Sequence, residues 1–180
     1  MIGEIRPDMS CAPYRRKRLY FVLTLPLIML LIAVFVYLWT ISFILSLVFL
    51  VFYLVMSYFQ AYCCVYQDCP YVGGFCPAVL AILPANLCAK HLYGRQGVVK
   101  SKKAFSLHAS LAIAGWLGLI VFPVFWVGTL GVGFAVGYVV VHVVYTVIFG
   151  FTICPVCAIR DTCPGGKLQG VVSKLLARHG

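Results

Sequence analysis

Two long stretches without a charged side chain, 19–67 and 104–159, set the pattern of this chain. All fourteen Lys and Arg residues, all four Asp and Glu, and all nine cysteines fall in three segments, 1–18, 63–103 and 154–180. A helix rises ~1.5 Å per residue and the hydrocarbon core of a bilayer is about 30 Å thick, so one crossing takes about 20 residues. Each uncharged stretch therefore predicts two crossings. The first divides into helices over 19–39 and 41–62, turning near Trp39, Thr40 and Ser42 with Tyr37 and Trp39 as interfacial aromatics. The second divides into 104–127 and 130–153, turning at Gly128, Thr129 and Gly131 beside Trp126. The expected fold is an all-α integral membrane protein with four transmembrane helices in two tandem hairpins. A basic segment 1–18 precedes hairpin 19–62, a cysteine-rich loop 63–103 with a short interfacial helix precedes hairpin 104–153, and a cysteine-rich tail 154–180 follows.

Composition supports the same reading. A chain 63% hydrophobic and 10% charged has too little polar surface to dissolve as a globule. Short loops rich in Lys and Arg stay on the cytoplasmic side, and the two opposite turns carry none, so both termini and the central loop are assigned to the cytoplasm of a plasma or equivalent membrane. Arg15, Arg16, Lys17 and Arg18 form a block before helix 1, and Lys100, Lys102 and Lys103 repeat it before helix 3. Anionic headgroups account for the net charge of +10, each basic group near such a leaflet being worth about 1 kcal/mol. Nucleic acid is not expected as a partner, because the basic residues flank helices and have no soluble domain around them. No cleavable signal is expected, since helix 1 is full length and follows a long polar start.

The halves read as a tandem duplication. Cys63, Cys64, Asp68, Cys69 and Pro70 close the first half, and Cys154, Cys157, Asp161, Cys163 and Pro164 close the second. Positions 64 and 157 stand as far apart as 68 and 161, and 69 and 163 are one residue further. Two hairpins in one orientation would pack about a pseudo-twofold axis along the membrane normal and bring the cysteine segments together.

Free cysteine often behaves as a small buried hydrophobe, which suffices for Cys11 and Cys88. The other seven cluster at the ends of helices 2 and 4, and Cys69, Cys76, Cys154 and Cys163 each precede proline. Proline removes an N–H and biases the preceding residue toward extended backbone, so these thiols are expected in rigid turns. In a reducing cytosol, closely spaced cysteines are more often metal ligands or catalytic thiols than structural disulfides. The two-residue gap between Cys154 and Cys157 suits either one metal ion or one redox disulfide. Cys154 falls at the C-terminal end of helix 4, where the dipole opposes an unassisted thiolate but does not obstruct ligation.

The expected ligand set is Cys63, Cys64, Cys69, Cys76, Cys154, Cys157 and Cys163. Four thiolates suit zinc or an iron–sulfur cluster, and the partly lipid-shielded turns favour the cluster slightly. Cys88 and His91, three apart on an expected short helix over 78–93, are a possible further pair. An interfacial helix laid on the bilayer, with Leu80, Leu83 and Leu87 in lipid, is the stronger reading of that segment.

Ionisable groups within a crossing are expensive and suggest function. His142 lies near the middle of helix 4 with Tyr138 and Tyr145 on the same face, a trio that fits a quinone pocket or a histidine bonded to a tyrosine. His108 begins helix 3, and with ~1.5 Å of rise per residue it sits roughly 15 Å from the depth of His142, too far for one haem between them. Gly131, Gly133 and Gly137, followed by a valine run, predict a close helix–helix contact on helix 4.

Four helices with the Cys154-Pro155-Val156-Cys157 pair at the end of the last resemble vitamin K epoxide reductase and the bacterial disulfide-forming membrane oxidases. That family carries its second pair after helix 1 and faces both pairs to the lumen or periplasm. Here the loop after helix 1 has no cysteine and the pair lies on the basic side. The likeness is limited to one spacing and a helix count.

The leading expectation is a polytopic membrane metalloprotein with a cysteine-ligated iron–sulfur or zinc site at the cytoplasmic face. It would transfer electrons or serve as a subunit of a membrane redox complex, with lipids and other membrane or redox subunits as partners. The alternatives are a quinone-linked thiol–disulfide oxidoreductase using Cys154 and Cys157, and a transporter of a soft metal ion received at Cys63 and Cys64. Nothing resembling a nucleotide loop, a His-Glu metal helix or a serine nucleophile points to a hydrolase or kinase.

Overall fold

The computed structural model describes residues 17–67, 69, 89–93, 101–152, 155, 161, 167, 169–171 and 174. Four long helices account for nearly all of these: α1 (Lys17–Ile41), α2 (Phe43–Tyr66), α3 (Lys102–Gly128) and α4 (Val132–Thr152). Among the described residues there is no strand. All four helices are long and apolar enough to cross a membrane. Each ends within a few residues of its expected limits, and the two turns fall where the sequence places them.

The first turn is a single residue. Ser42 takes extended backbone (φ −161°, ψ 132°) and its hydroxyl accepts from the Ile44 amide, so it ends α1 and caps α2 in one step. Trp39 meets Phe43 edge-on across the bend, with ring centroids 4.9 Å apart. The second turn closes through amides of 129–131 that donate to carbonyls of 126–128, and Gly131 supplies the positive φ (135°) that a side chain would resist. A cross-tie holds the two turns at one end of the molecule. The Tyr37 hydroxyl, near the end of α1, donates to the Trp126 carbonyl (3.2 Å) and lies 2.9 Å from the Thr129 hydroxyl.

The helices run alternately up and down. α2 and α3 pair antiparallel along their length, since Phe52 meets Phe122, Met56 faces Gly115, Tyr62 stacks on His108 and Tyr66 stacks on Phe105. α3 touches all three other helices, and α1 touches both α2 and α4. The interior is narrow. Leu27, Leu31, Val34 and Leu38 line one face of α1, Gly115, Leu119, Pro123 and Val127 recur every fourth residue on α3, and Phe49, Met56 and Tyr138 complete the packing. The outward face of every helix carries large apolar side chains, the distribution that lipid contact demands.

Close approach occurs on a different helix from the one the glycine content suggests. A Cβ placed on Gly115 would lie 3.0 Å from both the Cβ and the backbone nitrogen of Met56, and one on Gly118 would overlap the Phe52 ring. Gly133 and Gly137 of α4 have nothing within 4 Å of that position. The contact surface expected on helix 4 is therefore corrected to the α2–α3 seam. Glycine spacing alone does not say which face of a helix meets its neighbour, and in α4 that face is turned outward.

The two kinds of glycine separate experimentally. Gly115→Ala presses on the α2 backbone, which cannot turn aside as a ring can, and is expected to lower stability by about 1–3 kcal/mol. Gly133→Ala and Gly137→Ala are expected to be neutral or stabilising by up to about 1 kcal/mol. Thermal unfolding in mild detergent, followed by circular dichroism, reads all three variants.

Candidate functional site

The end of the bundle away from the turns gathers the starts of α1 and α3 and the finish of α2. Lys102 and Lys103 are exposed there. No proline or charge interrupts the sequence between Phe43 and Asp68, and α2 runs on through Tyr66, so Cys63 and Cys64 occupy its last turn instead of a loop beyond it. The helix then breaks. Gln67 donates to the Cys63 carbonyl (3.2 Å), and the Cys69 amide donates to the Cys64 carbonyl (3.0 Å), folding the chain back over the helix end. Cys63 and Cys64 are half-buried and Cys69 is buried, and among the described residues no disulfide joins the three.

An aromatic layer lies at the same end of the bundle. Tyr62 stacks on His108 at 3.9 Å between centroids, Phe59 meets the same imidazole edge-on at 5.3 Å, and Tyr66 stacks on Phe105 at 4.6 Å. Tyr93, from a single π-helical turn Ala89–Tyr93, packs against Tyr58 and Tyr62. His108 bonds through Nδ1 to the Ala104 carbonyl of its own helix (2.7 Å). Nothing in the sequence pattern paired His108 with Tyr62; their meeting follows from the antiparallel register of α2 against α3.

Three of the seven expected metal ligands, Cys63, Cys64 and Cys69, are therefore described at one end of the bundle. Cys76, Cys154, Cys157 and Cys163 lie outside the described residues, as do Cys11 and Cys88. Among the described residues, no group of three or more Cys, His, Asp or Glu side chains is placed to hold a metal ion. A metal at this end needs thiolates beyond Cys63, Cys64 and Cys69. His91 is exposed, and of the short helix expected over 78–93 only the final turn is described.

The second group of interest is deep in the bundle. Tyr138 and His142 are buried one turn apart on α4, with ring centroids 4.5 Å apart, and Trp116 of α3 lies 5.8 Å from the imidazole. The expected tyrosine–histidine bond does not form. His142 Nδ1 pairs with the Tyr138 carbonyl (2.9 Å), while the Tyr138 hydroxyl donates to the Leu119 carbonyl (2.7 Å). Tyr145, the third member, is half-buried and its ring packs on Phe149. His108 and His142 belong to separate ring clusters.

The Tyr138 bond has a cause in the sequence. Pro123 sits inside α3 and has no N–H, which leaves the carbonyl four residues earlier, Leu119, without its helical donor. Water cannot supply one in the middle of a bilayer, so the Tyr138 hydroxyl does so from α4. Sequence reasoning missed this pairing. The signal available was a proline in the interior of an expected crossing.

Comparison with protein-family models, with curated proteins and with solved structures finds no match.

A double-mutant cycle tests the tie between α3 and α4. Tyr138→Phe strands the Leu119 carbonyl and is expected to cost about 1–3 kcal/mol. In a Pro123→Ala background, residue 123 regains an amide for that carbonyl, and the cost of Tyr138→Phe is expected to fall by at least half. Equal costs in the two backgrounds, measured by reversible unfolding in detergent, would show that proline is not the reason for the bond.

Proposed function

We propose that this chain is a polytopic membrane metalloprotein with a cysteine-ligated iron–sulfur cluster or zinc ion at the cytoplasmic end of its bundle. Its role is electron transfer, or service as a subunit of a membrane redox complex. The observation that carries the reading is the fold-back of Cys69 onto Cys64, which holds three thiol-bearing residues at the end of the bundle where α1 and α3 begin with basic residues. Cys76, Cys154, Cys157 and Cys163 complete the proposed ligand set, with the cluster slightly preferred over zinc. The metal keeps thiolates ionised where a helix C-terminus does not, and for α2 as for α4 that is the end concerned.

Several further features belong to the same proposal. The tandem repeat rests on the matched Cys and Asp positions of the two halves. The cytoplasmic assignment of both termini rests on the basic residues at the starts of α1 and α3. Proposed partners are anionic lipids and other membrane or redox subunits. A thiol–disulfide oxidoreductase using Cys154 and Cys157, with a shuttle pair from Cys64, Cys69 or Cys76, is the second reading; the backbone turn that brings Cys64 and Cys69 to one place suits it too.

Anaerobic purification in mild detergent, with iron, zinc and acid-labile sulfide measured per chain, decides between these. About four irons with four sulfides, or about one zinc, is the expected result, and Cys64→Ser is expected to lose at least half of that metal. A metal-free protein with two or more titratable disulfides would overturn the metal site in favour of the oxidoreductase.

A further inference from the structure

Beyond the end of α4, the chain is helical again at residues 167, 169–171 and 174. Lys167, Val171 and Lys174 are exposed there, Val171 by 55% of its surface. Successive residues of a helix are rotated by about 100°, so positions 167, 171 and 174 return to within roughly 60° of one another and form one open side. Gln169 and Gly170 point elsewhere around the helix and are half-buried. The polar and small positions are thus the partly covered ones, while the apolar side chain stands open between two lysines.

The sequence extends this division. Positions 168, 171, 172, 175 and 176 are all Leu or Val, the spacing of a single apolar helix face. In the register set by 167–174, Lys167, Lys174 and Arg178 fall together along one edge of that face. No acidic residue follows Asp161, so the edge carries positive charge alone. A linker over 153–166 ties the segment to the last residue of α4, Thr152, at the end of the bundle where α1 and α3 begin with Lys17 and Lys102. The segment is therefore delivered to a bilayer surface. A helix with an apolar face and a basic edge suits that position, because lysine stems lie along apolar surface while their ammonium groups reach the headgroups.

We infer that 167–178 is a membrane-surface helix that binds anionic phospholipid. Val171 and its apolar neighbours enter the acyl boundary, and Lys167, Lys174 and Arg178 meet the headgroup charges. The helix secures the far end of the linker, so the stretch that carries Cys154, Cys157 and Cys163 is fixed to the bilayer at both ends. This lipid site is separate from the basic residues that begin α1 and α3. It needs no metal and stands apart from the proposed cysteine centre.

Hydrogen exchange followed by mass spectrometry reads the segment in the full chain, reconstituted in nanodiscs of phosphatidylcholine alone or with phosphatidylserine as about a third of the lipid. Amides of 167–174 are expected to exchange at least about fivefold more slowly in the anionic discs, the worth of one basic group at a charged surface. The double variant Lys167→Gln/Lys174→Gln is expected to lose that difference; both side chains are exposed and glutamine forms helix as readily as lysine. Val171→Asp is expected to remove the protection in the anionic discs as well. Equal slow exchange in both lipids would place the apolar face on the bundle or on a second copy of the chain and overturn the inference. Rapid exchange in both would leave the basic edge to an acidic protein partner and overturn it too, as would lipid-dependent slowing that survives the double substitution. Metal analysis of the same discs tests the cysteine site separately.

Discussion

Pro123 takes one amide out of α3 in a place where water cannot replace it. The consequence spreads beyond that helix: the orphaned Leu119 carbonyl draws the Tyr138 hydroxyl from α4, which fixes the height at which α4 stands against α3. Tyr138 in turn sets the position of His142 one turn on, since the Tyr138 carbonyl holds Nδ1. Lipid contributes no hydrophobic force between helices, because its tails are as apolar as the leucines they touch. Specific bonds and close packing then decide the arrangement. In this bundle the bond joins α3 to α4, and the close packing of Gly115 on Met56 joins α3 to α2.

Polar groups elsewhere follow the same rule at smaller scale. Ser46, Thr146 and Thr152 turn their hydroxyls onto carbonyls three or four residues earlier in their own helices. At the turns, where headgroups and water begin, the bonds cross between hairpins: Tyr37 of α1 reaches Trp126 and Thr129. Apart from the Tyr138 bond, these hydroxyls are satisfied within their own helices, and the cross-tie between hairpins sits at the turns.

Helix length and helix count were legible because the bilayer imposes them. A stretch with no charge from 19 to 67 has few ways to be accommodated other than as two crossings, and Ser42 lies where the halves divide. Partner faces were not legible. Gly133 and Gly137 sit four apart like a helix-packing motif, yet face outward, whereas Gly115 and Gly118, three apart among alanines and leucines, make the close seam. The difference lies in which way each helix is rotated, and rotation is set by bonds between distant residues such as Tyr138 and Leu119. The same holds for the candidate sites. Spacing placed Tyr138 beside His142 on one face, but where each hydroxyl and ring nitrogen would bond depended on a proline in another helix. At the cysteine end, the run of apolar residues through Tyr66 carried α2 past its expected limit and put Cys63 and Cys64 on the helix itself.

α3 connects the two regions of chemical interest. Its first turns carry Phe105 and His108, stacked on Tyr66 and Tyr62 at the cysteine-bearing end of α2, and its middle carries Trp116 and Leu119 against His142 and Tyr138. Phe105, His108 and Trp116 recur at intervals that return to one side of a helix, so a single rigid element meets both groups. A shift of α3 along its axis is resisted near its middle, by Met56 against Gly115 and, one turn on, by the Tyr138 bond to Leu119. The thiol end and the buried histidine are thus held at a fixed separation by packing.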